Sequence, residues 1–185
     1  MDLFVRNAEA ISLSGDDILA ICKGRTRIVR YDALQNYTDI SQIFKNDSFV
    51  LHYPTTTRNS GHWVAVIYHR DSRVIEFYDS YGLKYDDEIK LSEYLQQHPE
   101  SGLYAMTHLL EHAKRVYGVR VIYNNQRNQR IFENVNTCGR HVAMRIRMRH
   151  LPLAKYNQLM TGGDADRLVT LLTVMFSDSA ESLVV

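Results

Sequence analysis

Three runs rich in β-branched and aromatic residues, 48–53, 62–69 and 73–78, follow one another along the chain, punctuated by Gly61, Arg70-Asp71-Ser72 and Tyr81-Gly82. Connections this short join neighbours in an antiparallel sheet, so the spacing predicts three adjacent antiparallel strands with a tight hairpin at 70–73. Such a hairpin has a consequence for chemistry. His62 opens the second strand and Asp79 closes the third, so the fold brings them side by side although seventeen positions separate them.

A third residue type completes a reactive set. Cys138 follows an Asn-rich loop and precedes Gly139, and 139–149 is a stretch of good helix formers, which puts the thiol at a helix N-terminus. Unpaired N–H groups and the positive end of the helix dipole favour a thiolate there. A catalytic thiol needs an imidazole to take its proton, and that imidazole needs a carboxylate to fix its tautomer. His62 as base, Asp79 as orienter and Cys138 as nucleophile meet that requirement, in an order unlike the Cys-first papain arrangement. Trp63, next to the base, fits either a core aromatic or a wall of the substrate cleft. Cys22 falls in the apolar stripe of Ile18, Leu19 and Ile21 and reads as structural.

Helices occupy the rest of the chain. Ser14 with Asp17 forms a capping-box pattern opening a helix that leaves at Gly24, and 38–44 suggests a short second one. Further helices are predicted over 86–97, over 101–117 with Gly118 as the stop, after Pro152, and over 164–176. A fourth strand is expected over 119–124, and 177–185 reads as a loose tail. Strands in a block with helices gathered around them argue for an α+β fold. At 185 residues and 45% hydrophobic content the chain suits a single domain, 1–185, and a net charge of +1 gives no general drive towards nucleic acid. Two cysteines make no disulfide framework, no apolar run is long enough to span a bilayer, and the N-terminus lacks a secretory pattern. These features point to a reducing intracellular compartment.

Two motifs compete with the thiol reading. His108-Leu-Leu-Glu-His112 matches an inverted zinc-protease pattern. On a helical wheel, however, Leu103, Met106, Leu110, Ala113 and Tyr117 form the inner stripe and His108, Glu111, His112 and Arg115 the outer one, so no metal or other cofactor is expected. Arg140, Arg145, Arg147 and Arg149, with His141 and His150, resemble a phosphate-binding helix. Val142, Met144 and Ile146 alternate with them, which favours a central helix whose arginines pair with carboxylates or reach the surface over one that contacts nucleic acid.

His-Trp at a strand start, an acid seventeen positions on and Thr-Cys-Gly-Arg-His at a helix start resemble the adenain-like and SUMO-deconjugating cysteine peptidases. Among these the pattern is most similar to maturation proteases of virophages, Polinton-type elements and large DNA viruses. The resemblance implies a central mixed sheet with flanking helices and Cys138 at the start of a central helix. It also implies a monomeric endopeptidase that cuts capsid or other virion precursor proteins, in the virion and the host cytoplasm. The family carries a Gln shortly before the Cys as an oxyanion donor. Phe132 and Ile131 stand at the usual spacing here, leaving Gln129 and Gln126 as candidates. Gln129 is preferred, because a lengthened loop over 129–137 can still bring its amide to the thiol. Alternatives on the same fold are a deconjugating protease for ubiquitin-like modifiers and a non-catalytic basic binding module.

Overall fold

The computed structural model describes residues 2–132, 134–161 and 163–178. In chain order the elements are α1 (Asp2–Ala10), α2 (Gly15–Ile21), β1 (Ile28–Arg30), β2 (Ser48–Pro54), β3 (Gly61–His69), β4 (Val74–Tyr78), α3 (Glu93–Gln97), α4 (Ala105–Tyr117), β5 (Arg120–Tyr123), α5 (Cys138–Arg147), α6 (Leu153–Thr161) and α7 (Ala165–Asp178), with 3-10 turns at Tyr31–Asn36, Ile40–Gln42, Asp87–Leu91 and Pro99–Ser101. The strands form one mixed sheet in the order β1-β2-β3-β4-β5. β2, β3 and β4 are antiparallel neighbours, as the three apolar runs predict, while β1 and β5 add in parallel at the two edges.

Both faces of the central strands are covered, which is why they read as near-continuous apolar runs rather than an inside-outside alternation. Phe49, Leu51, Val64, Val66 and Phe77 pack on one side with Met106, Leu109, Leu110 and Ala113 of α4. Val50, Ala65, Ile67 and Tyr78 point the other way, onto Val142, Ala143, Met144 and Ile146 of α5, with α2, α6 and α7 outside it. Every residue from Gly139 to Ile146 is buried. The apolar members Val142, Met144 and Ile146 each contribute about 1.5–3 kcal/mol by leaving water.

Burying the whole helix decides the fate of its arginines. Arg145 is fully buried and grips Glu76 of β4 through Nε at 2.6 Å and NH2 at 2.8 Å. Arg140 donates to Thr173 Oγ1 and the Ala8 carbonyl, Arg147 to the Ile21 carbonyl while stacking over Phe176, and Arg149 to the Asn46 carbonyl. They tie α5 to its neighbours.

Several sequence expectations shift. α1 and β1 are additional elements. The helix expected over 38–44 is a single 3-10 turn, and that over 86–97 breaks in two, because Ser92 caps α3 through Leu95 N and anchors to the Pro54 carbonyl at 2.5 Å. The helix expected from 101 begins at Ala105, which leaves Leu103 outside it and 37% exposed; on α4, Leu109 takes the inner stripe and Tyr117 is 39% exposed. His108 and Glu111 are exposed as the wheel predicts. Residues 177 and 178 complete α7, and 179–185 lie outside the described residues. No helix among the described residues is long and apolar enough to cross a membrane.

Candidate active site

The β3–β4 hairpin turns through 70–73, with Arg73 N donating to the Arg70 carbonyl, and its register pairs Ala65 with Tyr78. Just past that last pair, where the register sets Asp79 against Val64, Asp79 reaches diagonally to His62, two residues along β3. His62 Nε2 lies 3.0 Å from Asp79 Oδ1, with both side chains buried. The entry to β3 tolerates no larger residue before the histidine: a Cβ on Gly61 would sit 2.0 Å from the Tyr53 carbonyl oxygen and 2.6 Å from His52 Nε2.

With Nε2 facing Asp79, Nδ1 is the ring nitrogen left for Cys138, which lies close enough to act on the charge of the imidazole. Burial works against a charged His62, but the Asp79 carboxylate and the contact with Cys138 outweigh it and hold the imidazole pKa well above the ordinary histidine value. Cys138 is half-buried. Cys22 differs sharply: burial pushes its thiol up to about 12 and it packs against α5.

Cys138 opens α5 with no side-chain cap. The adjacent Thr137 would ordinarily cap such a helix, but its hydroxyl donates to Asp166 Oδ1 instead. The unpaired N–H groups of the first turn therefore remain as donors beside the sulfur. Gly139 lets this end of α5 sit close to α2 and Trp63, since a Cβ would meet Leu13 at 3.1 Å and Ile18 at 3.2 Å.

A further wall comes from residues the sequence reading used only as punctuation. Tyr81 stacks on the His62 ring at 4.6 Å, and its backbone N–H donates to Asp79 Oδ1 at 2.7 Å. Asn124 Nδ2 holds the Asp79 carbonyl at 2.6 Å. Glu88, on the Asp87–Leu91 turn, brings a second buried carboxyl with Oε1 3.9 Å from His62 Nε2. His62, Asp79 and Glu88 offer ligand-type atoms within 4.8 Å of one another, and His62 Nε2 lies at hydrogen-bonding distance from Asp79. No local pattern marks Glu88 or Tyr81 in sequence; the acidic run at 86–88 and the Tyr-Gly turn after Asp79 are the only traces.

Gln129 is buried beside this wall. Its Oε1 accepts from Ser80 Oγ at 2.7 Å, and its Nε2 donates to Tyr81 Oη at 3.2 Å and the Val135 carbonyl at 3.3 Å. Gln126 is tied through its backbone to Asn124, and both Gln126 and Gln129 border a hollow lined also by Arg130, Met160 and Ala165. Asp166 anchors the loop into Cys138 by accepting from Arg130 N and Nε, Thr137 Oγ1 and His141 Nε2. Trp63 is half-buried, donates to the Leu13 carbonyl at 3.2 Å, and lines a cleft of about 580 Å³ with Leu13, Gly15, Ile28, His52 and Gly61.

No family model matches the chain. Over 174 residues it is 26% identical to a Sputnik virophage protein named "Uncharacterized protein V9", covering 90% of this chain and 96% of that protein. The crystal structure of ASFV pS273R protease superposes with a TM-score of 0.51 at 16% identity, over 89% of this chain and 68% of that one. The Ulp1 protease domain in complex with Smt3, the yeast orthologue of SUMO, gives a TM-score of 0.40 at 15% identity, over 92% of this chain and 80% of that one. The mixed five-stranded sheet with its flanking helices therefore shares the α+β fold of ASFV pS273R protease.

Proposed function

We propose that the chain is a cysteine endopeptidase in which His62 deprotonates Cys138 and Asp79 orients and stabilises the imidazolium. The observation that carries this reading is a buried imidazole held 3.0 Å from Asp79 and raised in pKa by both Asp79 and Cys138, the latter at an uncapped helix N-terminus. The thiolate attacks the scissile carbonyl, the first-turn N–H groups of α5 hold the tetrahedral oxyanion, and His62 returns the proton to the leaving amine. Water then hydrolyses the thioester. Gln129 is the side chain we assign to the oxyanion: it lies against the Tyr81 wall, and its Nε2, which donates to Tyr81 Oη and the Val135 carbonyl, would exchange one of these bonds for the oxyanion. Trp63 borders the substrate cleft.

The substrate is a virion precursor such as a capsid protein, an assignment supported by the virophage relative and by the fold shared with a viral protease. Thiol labelling and a cleavage assay test the two levels separately. An iodoacetamide-type reagent at neutral pH is expected to label Cys138 far faster than Cys22, and His62→Ala to abolish the difference. Equal rates for the two thiols would sink the peptidase reading. Cleavage of a co-encoded capsid protein supports the precursor assignment, whereas cleavage confined to ubiquitin-like fusions transfers the chain to the deconjugating proteases.

A further inference from the structure

Asp79 uses its two carboxylate oxygens unequally. Oδ1 accepts from His62 Nε2 and from the Tyr81 amide, at 3.0 and 2.7 Å. Oδ2 is buried with no donor. Beside it stands Glu88, 4% exposed, whose Oε1 is likewise buried without a partner. A buried acceptor left unsatisfied costs about 1–3 kcal/mol, and two ionised carboxyls side by side repel each other besides. One proton between the two groups removes both defects.

The chain holds Glu88 in this place from both ends. Asp86 before it adopts a left-handed conformation, accepts from Tyr31 Oη at 2.5 Å and Thr107 N at 2.7 Å, and donates its own amide to Tyr53 Oη at 3.4 Å. Ser92 after it is fastened to the Pro54 carbonyl. Neighbouring Asp87 points outward to Lys90, and Asp86 is taken up by Tyr31 and Thr107, so of the three acids Glu88 is the one left to face His62.

We propose that Glu88 is a positioning residue of the His62–Asp79 pair: as a neutral carboxylic acid it donates a hydrogen bond to Asp79 Oδ2, fixing the carboxylate and leaving the His62 Nε2–H to Asp79 Oδ1 alone. The proposal rests on the cysteine-peptidase reading. The groups facing Glu88 are His62 from β3, Asp79 from the end of β4, Tyr81 from the turn that follows, Tyr53 from β2 and Asp87 on its own turn. Burial raises the Glu88 carboxyl, the imidazolium opposes it, and Asp79 and Asp87 reinforce the rise, to about 7. The donor is thus present below neutrality and lost above it. Once ionised, Glu88 becomes a second carboxylate 3.9 Å from Nε2, competing with Asp79 for the same proton.

The test is the pH profile of Cys138 alkylation, which needs no substrate, in the wild type, Glu88→Gln, Glu88→Ala and His62→Ala. The His62-dependent rate is expected to show an inflection near the Glu88 value of about 7. Glu88→Gln, which keeps a donor at every pH, removes that inflection. Glu88→Ala lowers the rate roughly tenfold below the inflection, by loss of one hydrogen bond to a charged group, and the difference from the wild type closes above it. Infrared titration gives an independent readout: a protonated-carboxyl C=O band that the wild type loses across the same range and Glu88→Gln lacks. An inflection that persists in Glu88→Gln, or no such band, overturns the role of Glu88 while leaving the peptidase reading intact. A rate unaffected by His62→Ala overturns both.

Discussion

Two buried carboxylates stand near opposite ends of α5, and they are kept in different ways. Glu76 has a donor on every side: Arg145 engages both oxygens and His69 Nε2 adds a third bond at 2.9 Å. Burial acts to raise its carboxyl, but the Arg145 and His69 hydrogen bonds prevail and hold it below the ordinary value. The Asp79–Glu88 pair has two orphaned oxygens, an imidazole and a neighbouring thiol. A saturated network fixes a single arrangement and holds the fold; an unsaturated one keeps a proton mobile and a reactive group within reach.

The widest separation between the two clusters is expected from Asp79→Asn. It preserves shape but denies His62 its anionic partner and its tautomer, so kcat/KM should fall by roughly 10⁴-fold, with the urea midpoint little changed. Steady-state kinetics beside urea unfolding measure both quantities on one sample. A large loss of stability with activity retained would reverse the roles of the two clusters.

Glu76→Ala attacks the other side. It strands the Arg145 guanidinium, 0% exposed, without its counter-ion, and breaking such a buried pair costs about 3–5 kcal/mol. Chemical denaturation should show the drop, and the protein that remains folded should keep a nearly normal kcat, since Glu76 lies away from Cys138. A mutant that is fully stable but inactive would break the comparison.

The contrast also shows which parts of the molecule a linear reading reaches. β2, β3 and β4 were legible because two-sided burial writes dense apolar runs, and the proximity of His62 to Asp79 follows from hairpin arithmetic. α5 was legible through its helix formers, but its arginines were not, because carbonyl and carboxylate partners such as Ala8, Ile21 and Glu76 lie far away in sequence. β1 has three residues and shows no periodicity, and α1 begins without a recognisable cap. The 86–97 region carries helix-forming residues, yet tertiary demands override them: Asp86 is fastened to Tyr31 and Thr107, and Ser92 to β2. The acidic run at 86–88 is visible in sequence as a groove border or a helix cap, but the place of Glu88 beside Asp79 is not, since it is created by those two anchors.

Asp166 falls between the two extremes and sharpens the distinction. It is as well partnered as Glu76, yet what it holds is Thr137, the residue before Cys138, and Arg130, the residue after Gln129. Burial alone would raise its carboxyl, but hydrogen bonds from His141, Thr137 and the Arg130 amide pull it from 3.8 down to about 2. A carboxyl whose folded pKa is depressed adds stability above its unfolded value and surrenders it as pH falls through the folded one; here the window runs from about 4 down to about 2, and the contribution at neutral pH is about 2 kcal/mol. Asp166→Asn should therefore unfold at lower urea than the wild type at pH 7, with the gap closing as both are taken to about pH 2. Because the substitution also loosens the loop that seats the nucleophile, kcat/KM should drop by roughly ten- to a hundredfold. A stability gap that stays constant down to the acid limit would mean that Asp166 acts through shape rather than charge. Satisfied carboxylates would then have to be sorted by what they hold in place, with the number of their donors no longer a guide.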